Sequence, residues 1–129
     1  MDKSTAHRDA VLNVMRGTPL GAFTPYVSLH TADPGLTGAN EVTGDAYARE
    51  AATFGAPADG ATGRAIANSA AVTYPSVDSA ENRTVAFAGV WDAASGGVFR
   101  YRVELDTPRV INAGLPATFE IGDLVIEEA

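Results

Sequence analysis

The 129-residue chain contains no cysteine, so it has neither a disulfide framework nor a thiolate metal site. Lysine occurs once, at Lys3, and every other basic side chain is an arginine. His7 and His30 are the only groups whose ordinary titration falls near neutral pH. No apolar run approaches the roughly 18–20 residues that a membrane helix requires. Met1-Asp2-Lys3-Ser4 lacks the basic start and apolar middle of a signal peptide. No Walker-type phosphate loop, dinucleotide glycine pattern or Gly-x-Ser-x-Gly elbow is present. Cations are scarce enough to leave a net charge of −7 and a pI near 4.6. That sign argues against sequence-independent nucleic-acid binding, which depends on cations displacing counterions from phosphates. Neither a nucleic acid nor a membrane is expected as a partner, and no cofactor is expected.

What is present is a small, alanine-rich β protein. Hydrophobic residues make up 46% of the chain, but much of that is alanine, so few large side chains carry the core. The candidates are Leu29, Phe54, Tyr74, Phe87, Trp91, Phe99, Tyr101, Leu105, Phe119, Ile121, Leu124 and Ile126. The length fits one β-rich domain over residues 1–129, with a helical segment at 1–20 and a β body at 21–129. Over 4–16, Ser4 can cap a helix in which Ala6, Ala10, Val11, Val14 and Met15 recur at near-helical spacing. Arg8, Asp9 and Asn13 fall largely elsewhere on it, and Gly17 and Pro19 end it. About three turns cannot hold their shape alone, so the helix must dock on its own chain or on a neighbour. His7 is expected at its surface.

From Tyr26 onward the pattern is β. Strands are expected at 26–31, 48–54, 64–67 and 70–74, with Gly55–Gly63 as a loop. The clearest pair is Thr84–Trp91 with Val98–Leu105. Phe99, Tyr101, Val103 and Leu105 alternate there with Arg100, Arg102 and Glu104. Gly96-Gly97 supplies the positive backbone angles of the return. Gly89 interrupts the first strand, as at a bulge or a close backbone approach. A second hairpin is expected from Ala117–Ile121 through Gly122-Asp123 to Leu124–Glu127. Short strands with Gly/Pro-rich turns and one terminal helix predict an antiparallel β-sandwich or open barrel.

Chemistry is sparse. Ser28 and His30 share a strand side, as a nucleophile and base would, but Ser28 lies mid-strand. His30 is therefore read as anchoring the Asp33-Pro34-Gly35 turn through a backbone hydrogen bond. Asp33, Asn40, Glu41 and Asp45 place oxygens in one loop, the kind of donor that calcium takes. Their spacing matches no EF-hand, and such side chains routinely satisfy turn backbones, so no metal is assigned. Arg100 and Arg102, on one strand face, suit pairing with carboxylates of an adjoining subunit, or form an ordinary exposed face. Trp91 is the single candidate for a sugar-binding platform, although its strand position reads better as core.

Two stretches carry a resemblance. Tyr26-Val27-Ser28-Leu29-His30-Thr31-Ala32-Asp33-Pro34-Gly35 runs into Asn40-Glu41-Val42 and Tyr47-Ala48-Arg49. Gly89-Val90-Trp91-Asp92-Ala93-Ala94-Ser95-Gly96-Gly97 follows later. Together they resemble a family of small virion proteins of tailed bacteriophages, found in phages of actinobacteria and described variously as minor tail, tail-fibre-like, minor capsid or decoration proteins. The resemblance covers about residues 20–127 and contains no catalytic motif. It implies a non-enzymatic structural protein made in the host bacterial cytoplasm and carried in the virion. First comes a minor capsid or decoration protein that stabilises the shell by binding the major capsid protein or other virion proteins. A minor tail or fibre-associated protein is the alternative, and a carbohydrate-binding β-domain the second. A homo-oligomer, trimer or dimer, is expected. The expected interaction residues are Arg8, Asn40, Glu41, Tyr47, Arg49, Arg100 and Arg102, with the helix and the loops at 33–47 and 55–63 as docking elements.

Overall fold

The computed structural model describes residues 2–128. Its frame is the antiparallel pair β7 (Arg83–Trp91) and β8 (Phe99–Ile111), the hairpin expected from the alternation. Gly96 and Gly97 turn it at φ 64° and 73°. β8 runs past Leu105 to Ile111 because Asp106-Thr107-Pro108 is a bulge and not a strand end. The register jumps from Phe87↔Glu104 to Val85↔Arg109, leaving residues 105–108 opposite Ala86 alone. Proline has no N–H to give a ladder, and a bulge asks for none. A second irregularity, between Val90↔Tyr101 and Trp91↔Phe99, sets Arg100 outside the pairing.

Around this pair a five-stranded sheet has the order β1-β8-β7-β2-β3, with β1 at Asp2–Lys3, β2 at Tyr26–His30 and β3 at Glu50–Ala51. The strand expected over 48–54 contracts to β3 and one isolated bridge, Phe54↔Asn68. Three further short strands, β4 (Ala58–Asp59), β5 (Arg64–Ala67) and β10 (Val125–Glu128), form a sheet in the order β10-β5-β4. β4 lies inside the stretch expected to be loop. β6 (Val72–Tyr74) pairs with β9 (Ala117–Phe119). The expected tail hairpin is therefore corrected: Gly122-Asp123 passes the chain from β9 to β10 in a different sheet. Ile121, placed in the core by its spacing, is exposed on that turn.

One face of the large sheet presents Val27, Leu29, Ala88, Val90 and Val103 to Val72, Tyr74, Phe119, Leu124 and Ile126 of the other sheets, in one apolar cluster. Residues alternating with these point the other way. There Ser28, His30 and Gly89 are covered by the loop after β2, so β2 is buried on both sides. The result is an antiparallel β-sandwich with one short helix, as the pattern predicted. Of the large residues expected inside, Phe54, Phe87, Trp91, Tyr101 and Leu105 are only half-buried. Valines fill much of the core instead.

Helix α1 spans Thr5–Val14. Ser4 caps it: the hydroxyl accepts from the His7 N–H at 3.0 Å and donates to the Phe99 carbonyl, while the Ser4 N–H donates to the Arg100 carbonyl at 2.8 Å. Gly17, at φ 88°, follows the last turn. His7, expected at the surface, is instead the one buried residue of α1. Val11, Val14 and Met15 stay exposed. The body covers one turn of the helix and leaves the rest standing clear.

Candidate functional site

The loop between β2 and β3 is clamped to the β7–β8 turn by a cluster that the sequence had singled out. Arg49 forks onto Glu41, Nη2 to Oε1 at 2.9 Å and Nε to Oε2 at 3.0 Å. Its Nη1 donates to the carbonyls of Ala93 (3.2 Å) and Gly96 (2.8 Å). The guanidinium carbon lies 3.7 Å from the centroid of the Trp91 ring. Tyr47 adds its hydroxyl to Glu41 Oε2 at 2.6 Å and accepts the Leu29 N–H at 3.1 Å. Only 9% of the Arg49 side chain is exposed, against 24% for Glu41. Burial pushes the Glu41 carboxyl up, but hydrogen bonds from Arg49 and Tyr47 outweigh it and hold the group below its usual range. Burial, with the carboxylate beside it, raises the Tyr47 phenol far above its normal value. Planar charge matching and stacking make this a rigid joint. Above it lies a hollow of about 370 Å³, lined by Val42, Thr43, Tyr47, Ala48 and Ser95 among others.

Beneath the clamp runs a second chain of contacts. The Trp91 indole N–H donates to Ser28 Oγ at 2.8 Å, and Ser28 Oγ lies 2.7 Å from His30 Nε2. His30 Nδ1 is 2.8 Å from the Ala39 carbonyl, which can only accept. The ring is thus a neutral imidazole with its proton on Nδ1, and Ser28 donates to Nε2. Burial depresses its basicity; the Ala39 contact and the Glu41 charge oppose this, and Arg49 adds to it. His30 does anchor the loop, at Ala39 on its far side. Ser28 and His30 stand at nucleophile–base distance, yet both are 0% exposed, Nδ1 meets a carbonyl instead of a carboxylate, and no substrate can reach them.

The remaining expected residues separate. Asn40, at φ 63°, closes the loop by donating from its side chain to the Asp33 carbonyl at 2.8 Å. Arg102 reaches Asp33 at 3.1 Å. Arg100, thrown out of the ladder by the bulge, is buried and reaches Asp92 at 2.8 Å and His7 Nδ1 at 3.3 Å. Burial and the Arg100 charge both lower the His7 pKa, with Glu128 opposing. Arg8 is exposed on α1. The loop oxygens diverge: Asp33 serves Gly35 and Arg102, Glu41 serves Arg49 and Tyr47, and Asp45 accepts from Ser79. Among the described residues no group of three or more acidic or histidine side chains could hold a metal ion.

Sequence reasoning missed two features. Asn68, 1% exposed, donates to the carbonyls of Ala70 and Glu120 and accepts the Leu124 N–H, all at 2.9 Å, tying β5 to the β9–β10 turn. No motif marks such a residue. The other is an apolar cleft of about 640 Å³ between the two larger sheets, lined by Phe23, Phe54, Ile66, Val90, Tyr101 and Ile126, with Arg64 and Glu128 at its polar points. These residues lie scattered along the chain, and only the fold assembles them.

The groups that sequence motifs offered as chemistry are thus joints within the chain. No curated protein matches it. A family model described as podophage GP4 fiber I protein gp80 matches residues 2–127, which takes in the clamp, the buried Ser28–His30 chain and α1. The chain belongs to that family of phage structural proteins.

Proposed function

We propose that this chain is a non-enzymatic structural protein of the phage virion, mounted on the tail or fibre side of the particle. The family match over residues 2–127, to a model described as a fibre protein, carries the reading. The geometry supports it: Glu41, Arg49, Tyr47 and Trp91 hold a loop rigid, and the Ser28–His30 pair is sealed. Rigid loops on a β-sandwich suit a docking surface, and the hollow over the clamp is the surface on which Glu41, Tyr47 and Arg49 would act. A carbohydrate-binding module finds less support, since the guanidinium of Arg49 already stacks on Trp91.

Capsid decoration is the second reading, favoured by the absence of repeats and of any long shaft-like segment in the sequence. Under it, α1 and the loops at 33–47 and 55–63 would dock on the major capsid protein. The test is gold-labelled antibody on purified particles, with copy number per particle from quantitative mass spectrometry. Labelling at the tail end in few copies is the expected result. Dense labelling over the head, in numbers matching shell symmetry, would replace this reading with the decoration one. Particles without the protein would end both.

A further inference from the structure

Helix α1 has two faces of opposite fate. His7 turns inward against Tyr101, their ring centroids 4.9 Å apart. Arg8, Val11, Leu12 and Met15, spaced i, i+3, i+4 and i+7, form a second stripe pointing away from the body. Leu12 is 65% and Met15 86% exposed. The helix cannot swing round to bury that stripe, because Ser4 fixes its root to the Phe99 and Arg100 carbonyls. A ten-residue helix presenting its larger apolar side chains to water gains little from folding. Only another molecule can cover the stripe.

Charge says which molecule. Residues 1–16 hold three basic side chains against two acidic ones, whereas the rest of the chain holds six against fourteen. All six arginines of the body pair with a carboxylate of their own chain. Arg8 and Arg16 make no ion pair among the described residues. A helix whose exposed Arg8 makes no ion pair is thus set on an acidic body whose apolar cleft opens beside the helix root, with Tyr101 lining the cleft on one side and packing His7 on the other.

We propose that the chain self-associates by laying Val11, Leu12 and Met15 of one copy into the inter-sheet cleft of another, with Arg8 drawn to the net negative charge of that copy's body. This goes beyond the virion reading and stands without it. The contact joins two different patches, so it closes reciprocally in a pair or as a ring, or runs on as an open filament.

The test is the solution mass of the full chain by sedimentation or light scattering. Wild type is expected at a multiple of 13.3 kDa, dissociating as salt rises. Leu12→Asp with Met15→Asp alters exposed positions only, and Thr53→Arg fills the cleft from its exposed wall. Each variant is expected to be folded by circular dichroism and to run at the single-chain mass. Mixed, they are expected to form a heterodimer, since one keeps an intact cleft and the other an intact helix. A monomeric wild type would overturn the proposal. So would an oligomer that survives either variant, or folded variants that fail to complement each other.

Discussion

Arg49 shows how one side chain can replace a hydrophobic plug. Its fork holds Glu41, its tip holds two carbonyls of the β7–β8 turn, and its flat face covers Trp91. Lysine has the charge but neither the fork nor the stacking plane. Arg49→Lys is therefore expected to lower unfolding free energy by about 1–3 kcal/mol, the range for charged hydrogen bonds with buried partners. Urea unfolding measures this, and a Glu41→Gln, Arg49→Lys double cycle is expected to show coupling; strictly additive losses would mean that the two do not act as a unit. The histidines carry a pH dependence. Burial lowers the basicity of both His7 and His30, so the unfolded chain binds protons near pH 6.5 that the folded chain refuses. Stability is then complete above about pH 6.5 and falls as the pH drops below it. Carboxylates held below their usual range, Glu41 and Asp92 among them, extend the loss further into acid. Thermal midpoints should stay level from pH 8 to about 7 and decline towards pH 5. Imidazole resonances that titrate at or above the free value would contradict the assignment.

Strand β7 depends on a glycine for space. A Cβ on Gly89 would sit 2.5 Å from Ser28 Oγ, 2.7 Å from Phe99 Cε1 and 2.8 Å from His30 Nε2. All three neighbours are buried, and the hydroxyl and imidazole are already committed to each other. Gly89→Ala is expected to cost about 1–3 kcal/mol by overpacking and to blue- or red-shift Trp91 emission by disturbing its bond to Ser28; an unchanged melting curve would show that the loop yields. The interruption at Gly89 was readable as a close approach because the flanking alternation was so regular. The same alternation located β7 within a residue of its start, and the bounds of β5 were legible outright. What failed did so for physical reasons. Pro108 reads as a strand end because proline cannot join a ladder, but the bulge removes that demand and β8 continues. The tail looked like a hairpin because a Gly-Asp turn sits between two apolar pairs; which strands those pairs join is decided by tertiary contacts. His7 reads as surface since polar residues on helices usually are, whereas Arg100, displaced by a bulge, meets it inside. Glu41, Tyr47 and Arg49 were legible as a cluster, but nothing in their spacing said that they would grip one another.

For the molecule as a whole, the question is whether three small sheets melt as one. The two-stranded and three-stranded sheets are too short to persist alone, and their apolar residues enter the same cluster as the large sheet. Unfolding is therefore expected to be a single transition, with Trp91 fluorescence from the large sheet and far-ultraviolet circular dichroism from the whole chain coinciding. Asn68 is the sharpest probe of that unity. It belongs to neither strand of the β6–β9 pair, yet it holds Ala70, Glu120 and Leu124 in register where β5 meets the β9–β10 turn. Asn68→Ala removes a partner from the carbonyls of Ala70 and Glu120, the second of which keeps the Asp123 N–H, and leaves the buried Leu124 amide unsatisfied at about 1–3 kcal/mol. Because the lost contacts lie in sheets that pack, through one apolar cluster, on the large sheet carrying Trp91, both signals are expected to shift together to lower denaturant with an unchanged slope. A variant in which the dichroism falls first while Trp91 emission holds would mean that the small sheets unfold on their own, leaving the large sheet as a separate cooperative unit.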